Sequence, residues 1–277
     1  MNPLSFLQRF PRWRLAALAL TFALAGCAGP QPASPEAIAA LLASSDRSAA
    51  DRINDQRRKP AELLAFIGVR PGMVALDVSA ARGYTTELIA RAVGPSGKVY
   101  GQNAPRDPAR PPPAQPEGAA APAMPAAATP PAALTLADRA RNPATAHIVP
   151  VTRPFEDPAP PEVADAKLDL VTLMFNYHDL GHLRVDRARL NQAVFKALKP
   201  GGMYVIADHA GRPGTGISEA GTLHRVEEAF LRREVEAAGF RLAASGDFLR
   251  NPRDPRDRNT PEPPMPKDEF VLKFVKP

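Results

Sequence analysis

Residues 73–103, MVALDVSAARGYTTELIARAVGPSGKVYGQN, decide how this chain folds. Met73 to Val78 is a short, mostly apolar run after the Pro71-Gly72 turn, the pattern of a buried strand. GYTTELIARA, residues 83–92, has helical character, and VGPSG at 93–97 breaks it. Lys98 to Gln102 then reads as a second strand. A strand, a helix and a strand within about 30 residues form a crossover unit whose strands run parallel.

The pattern continues on both sides. Upstream, residues 36–44 and 46–59 read as helices, the second capped by Ser45 or Asp46, and AELLAFIG at 61–68 as a third that ends at Gly68. Downstream, LTLADRARN is helical, and strands are expected at His147–Val151, Leu168–Phe175 and Met203–Ala207. A helix at 186–198 ends in Lys199-Pro200-Gly201-Gly202, and a long helix spans about 220–238. Two last strands, Arg241–Phe248 and Glu269–Val275, flank a loop rich in Pro and Arg. Alternating strands and helices closed by a strand pair predict an α/β doubly wound sheet.

Composition limits the alternatives. The 277 residues suit one α/β domain with additions, and 44% apolar residues can fill its core. Most of the excess in the 33 prolines sits in two stretches, so it marks local loops. Residues 104–135 are mostly Pro and Ala, too poor in apolar bulk to fold, and are expected to be a disordered insert. The formal charge of +6 falls by three if Arg9, Arg12 and Arg14 are removed with a leader, and no basic run is interleaved with aromatics. A nucleic-acid partner is therefore not expected.

The first 26 residues read as an address. Residues 1–14 carry three arginines and no acid, and LAALALTFALA at 15–25 is apolar but too short for a stable bilayer span. Leu24-Ala25-Gly26-Cys27 resembles a bacterial lipobox, which implies a signal peptide over 1–26 and lipidation of Cys27. As the chain's one cysteine, Cys27 has no partner for an internal disulfide. Residues 27–35 then serve as a tether, with the domain over 36–277. The expected location is the periplasmic side of the membrane. Ala28, where aspartate would signal inner-membrane retention, points to the outer membrane.

KPGGMYVIAD at 199–208 and the closing EFVLKFVKP resemble class I S-adenosylmethionine-dependent methyltransferases. KPAELLAFIGVRPG, GYTTELIARAVGPSGKVYGQN, FNYHDL and HRVEEAFLRREVEAAGFRL resemble a bacterial family described as predicted methyltransferases. The resemblance covers roughly 36–277 apart from the insert. It implies a Rossmann-like sheet of seven strands with helices on both faces and the last strand antiparallel. It also implies S-adenosylmethionine as cofactor and a small-molecule acceptor.

In that family the first strand ends in an acid followed by glycines at alternate positions. The matching residues are Asp77, Ser79, Ala81 and Gly83, so one glycine of three remains. A side chain at a left-handed position costs roughly 1 kcal/mol or more. Asn103 stands where an acidic residue usually takes the ribose hydroxyls, and Glu156 is the carry-over toward adenine.

Four of five histidines follow the fourth or fifth strand: His178, His182, His209 and His224. Asn176-Tyr177-His178-Asp179 and Asp208-His209 end neighbouring strands of such a sheet, so Tyr177, His178, Asp179, Asp208 and His209 are expected to converge. His178 or His209 suits a general base. Asp179 and Asp208 suit a divalent metal, as in metal-dependent O-methyltransferases, which place carboxylates at the ends of these strands. Helix capping by Asp179 is the plainer alternative. GRPGTGISEAGTLHR, 211–225, reads as a lid or connector, with Thr222 capping the next helix and Arg225 facing an anionic acceptor. The eroded glycines and the leader support a second possibility, an exported non-catalytic or metal-binding lipoprotein that keeps the fold.

Overall fold

A computed structural model describes residues 31–106 and 133–277. The leader, Cys27 and most of the Pro/Ala insert lie outside them. Seven strands form one sheet in the order β3-β2-β1-β4-β5-β7-β6. They are β1 (Val74–Val78), β2 (Lys98–Asn103), β3 (Ile148–Thr152), β4 (Leu168–Met174), β5 (Leu198–His209), β6 (Arg241–Gly246) and β7 (Glu269–Val275). The β1–β2, β1–β4, β2–β3 and β4–β5 pairs are parallel, and β7 runs antiparallel to both β5 and β6. The expected Rossmann-like α/β sheet and its antiparallel last strand are both present.

Strand alternation divides the core in two. Ala75 and Val99 face the side packed by Leu63, Leu64 and Ile67 of α3 (Pro60–Ile67) and by Leu88 and Ile89 of α4 (Tyr84–Val93). Leu76, Val78 and Tyr100 face Leu190 and Val194 of α7 (Arg187–Ala197) and Leu231 and Val235 of α8 (Glu228–Ala237). Helices therefore cover both faces.

Three further helices complete the framework: α1 (Pro35–Ala43), α2 (Ala49–Arg58) and α5 (Leu136–Arg141), with a short α6 (Tyr177–His182) after β4. Ser34 caps α1 with Pro35 at its first position. Ser48, not Ser45 or Asp46, caps α2 by accepting from Asp51 N at 3.1 Å. α2 is polar, and its side chains meet Tyr84 at the start of α4, Phe175 after β4 and Glu269 at the start of β7. It thus lies across the C-terminal ends of the parallel strands, the crevice where ligands bind in this architecture.

Several expected boundaries move. β5 begins at Leu198, so the Lys-Pro-Gly-Gly segment belongs to an irregular start of that strand. The long helix expected over 220–238 is only α8; residues 212–224 form successive turns. Thr222 caps nothing, and His224 and Arg225 precede the helix. Arg225 is fully buried and forms a double hydrogen bond with Asp254, so it does not face an acceptor. The lid reading gives way to a packed connector: a Cβ on Gly181 would meet Ile217 at 2.6 Å.

Candidate functional site

The turn leaving β1 keeps a backbone made for glycine. Ser79, Ala81 and Gly83 have φ of +58°, +50° and +84°. Two side chains therefore occupy the left-handed region that glycine tolerates without cost. The end of β2 holds the turn in this shape. Gln102 Oε1 accepts from Ser79 N at 2.9 Å, and Asn103 Oδ1 accepts from Ala81 N at 2.8 Å. Asn103 Nδ2 also donates to Ala81 O at 3.1 Å, so both ends of that amide are committed to the turn.

Asp77 does not face the crevice. It is buried and accepts from Thr86 Oγ1 at 2.6 Å and Thr172 Oγ1 at 2.7 Å, tying β1 to α4 and β4. Burial pushes its carboxyl up to about 6 against the two hydroxyl bonds. Glu156 is turned to the start of α7, where Oε1 accepts from Asp186 N at 3.2 Å. Nothing in that contact directs it toward a nucleotide base.

The polar cluster after β4 and β5 forms with one member fewer than expected. Tyr177 is fully buried among the α7/α8-side core, and its hydroxyl donates to Glu234 at 2.8 Å and accepts from Asn191 at 3.1 Å. It is a core residue because α6 starts there, which turns the side chain away from the strand ends.

His178, Asp208, Asp179 and His209 do converge. Asp208, wholly buried, accepts from His178 Nδ1 at 2.6 Å and from the backbone N–H groups of His178 and His209 at 2.8 and 2.7 Å. His178 Nε2 faces Asp179 Oδ1 at 3.2 Å. Burial opposes charge on His178, but Asp208 and Asp179 outweigh it and raise the imidazole to about 10. A cationic ring held between two carboxylates is no general base at neutral pH. His209 lies 3.0 Å from Glu269, and burial, helped by nearby Lys267, drives its imidazole well below the ordinary value.

The expected metal pair of Asp179 and Asp208 is not formed as such. Asp208 spends its oxygens on His178 and His209, whereas Asp179 Oδ1 is shared by His178 Nε2 and, at 3.3 Å, His224 Nδ1. Asp179 is no helix cap either: Oδ2 accepts from Asn176 Nδ2 at 2.7 Å. His224, expected in the first turn of the next helix, instead joins Asp179 from 45 residues away, at a left-handed position with φ +52°. Phe175 and Arg58 carried no signal in the sequence; the guanidinium carbon of Arg58 sits 3.7 Å from the Phe175 ring centre, a stacked cation–π contact over the cluster.

Comparison with solved structures places this arrangement. A methyltransferase from Aquifex aeolicus, described as S-adenosylmethionine-dependent, superposes with a TM-score of 0.51 at 16% identity, over 83% of this chain and 100% of its own. The fold is that of the class I methyltransferases. A methyltransferase from Mesorhizobium loti, similarly described, gives 0.51 at 14% identity, over 80% and 99% of the two chains. An arsenic(III) S-adenosylmethionine methyltransferase from Chlamydomonas reinhardtii gives 0.50 at 17%, over 88% and 74%. No family model matches the sequence, and no curated protein matches it. Ser79–Gly83 after β1, Asn103 at the end of β2 and the histidine cluster after β4 and β5 all lie at the C-terminal ends of parallel strands, where open α/β sheets bind ligands.

Proposed function

We infer that the chain is an S-adenosylmethionine-dependent methyltransferase acting on a small-molecule acceptor. The observation that carries this reading is the left-handed backbone at Ser79 and Ala81. Such residues cost of order 1 kcal/mol or more each and persist where the surrounding structure enforces them, most often at functional sites. The turn therefore fits the cofactor in shape. Its backbone would pass beside the methionine part, and Asn103 would take the ribose hydroxyls in exchange for its pair with Ala81. The cofactor supplies an activated methyl group on a sulfonium. The chain's own contribution is position: α2 closes the crevice from above, while Asp179 and His224, the partly exposed rim of the cluster, orient a hydroxyl or amine acceptor.

Calorimetric titration of the purified full chain with S-adenosylhomocysteine tests the reading. Saturable one-to-one binding is expected; absence of heat from a folded chain overturns it.

A second reading, a metal-binding lipoprotein that has lost the cofactor, is favoured by Gln102 and Asn103, which occupy the N–H groups of Ser79 and Ala81. For location, the proposal is a periplasmic protein, on the outer membrane, anchored through lipidated Cys27. Metabolic labelling with palmitate should mark the chain and not Cys27→Ser.

A further inference from the structure

We propose that His178, Asp179 and His224 form a binding site for one divalent transition-metal ion. Their ligand atoms all lie within 4.8 Å of one another, and the two contacts to Asp179 Oδ1 are 3.2 and 3.3 Å. Ligand atoms about 2.0–2.2 Å from a common ion stand roughly 3.0–3.4 Å apart, the spacing that both contacts to Asp179 Oδ1 already have. Two imidazoles and one carboxylate, with remaining positions open, are a donor set for zinc, iron(II) or cobalt(II) and not for magnesium or calcium.

The surrounding residues have the form of a metal site's supporting shell. Asp208 holds the Nδ1 proton of His178 at 2.6 Å, so an ion needs to displace only the proton on Nε2, which faces Asp179 Oδ1. Metal-bound histidines are commonly held in this way by a carboxylate on the far nitrogen. Asn176 Nδ2 holds the second oxygen of Asp179 at 2.7 Å and leaves Oδ1 toward both rings. His178 is buried, whereas the side chains of Asp179 and His224 are 29% and 34% exposed. An ion there would be anchored from inside and reachable by water or an acceptor from outside.

This site differs from the carboxylate pair expected from the sequence, because Asp208 orients a ligand and does not serve as one. It also needs no methyl donor, so its test is separate from that of the methyltransferase reading.

The test is titration of the untagged full chain, stripped with a chelator, with Co²⁺ and with Zn²⁺ in the absence of S-adenosylmethionine. One ion per chain and a cobalt ligand-field absorption are expected. His224→Ala and Asp179→Ala should abolish both, and Asp208→Asn should weaken binding about 10–100-fold. His182→Ala, which removes an exposed histidine outside the trio, should bind as the parent does. His224→Gln, which keeps a hydrogen-bonding side chain, replaces His224→Ala if circular dichroism shows that variant unfolded. No saturable binding, or binding untouched by loss of His224 and Asp179, overturns the proposal.

Discussion

The hydroxyl of Ser79 donates to the side-chain oxygen of Asn176 at 2.7 Å, and the amide nitrogen of Asn176 donates to Asp179 at 2.7 Å. Two hydrogen bonds thus join the turn after β1 to the carboxylate shared by His178 and His224.

Ser79→Gly should be more stable than Ser79→Ala. Both lose the bond to Asn176, worth about 1 kcal/mol, but glycine also relieves the left-handed strain, again about 1 kcal/mol, less its greater freedom when unfolded. Ala81→Gly loses no side-chain bond and should stabilise by a few tenths of a kcal/mol up to about 1. Urea denaturation of the three variants checks the order; equal stability of the two Ser79 variants would contradict the left-handed turn.

Asn103→Asp should favour the cofactor over the empty turn. It removes the donor to Ala81 O and supplies a carboxylate for ribose hydroxyls, whose charge-assisted hydrogen bonds are about twice as strong. S-adenosylhomocysteine should bind roughly tenfold tighter by calorimetry, an expectation built on that doubling. Weaker binding would place the ribose elsewhere.

Asp77 gives a pH dependence of defined sign. Its folded pKa is raised to about 6 from 3.8, so its contribution to stability is fully present below 3.8 and is lost as pH rises through 6. Relative to Asp77→Asn, the parent chain should lose about 2.4 kcal/mol between pH 4 and pH 7 and little more above that. Paired denaturation curves across this range measure the difference. A flat difference would mean that the carboxylate is solvated.

Arg139 of α5 is buried with Asp51 of α2 and Glu87 of α4, bonded to Asp51 at 2.7 and 2.9 Å and in contact with Glu87. Arg139→Ala leaves the buried Asp51 without its paired cation and Glu87 with Arg91 alone, and should cost about 3–5 kcal/mol. Asp51→Ala leaves Arg139 paired with Glu87 and should cost less. Thermal unfolding ranks the two, and the opposite order would contradict the shared cation.

Much of the fold was legible because the buried strands are short apolar runs and the turns between them carry Gly and Pro. Met73–Val78, Lys98–Gln102 and Glu269–Val275 all pair within a residue or so of where periodicity put them. The site was legible only where neighbours in sequence share a strand end. His178 with Asp208 follows from adjacent strands. His224 with Asp179 does not, since it depends on turns in 212–224, a stretch read as a lid or connector with a helix starting near 220. Tyr177 was misplaced for a related reason: one residue past Asn176 the chain is already helical, and alternation no longer tells which way a side chain points.

The grip on the turn after β1 has a consequence for the long Pro/Ala stretch. At its start Asn103 is fastened to Ala81, and at its return Arg82 Nη1 donates to Ala133 O at 2.7 Å. The chain thus departs and re-enters at adjacent residues of one turn. Both described flanks are thus moored to one turn, and the sheet and the cluster carry their own anchors independently of what lies between the two moorings.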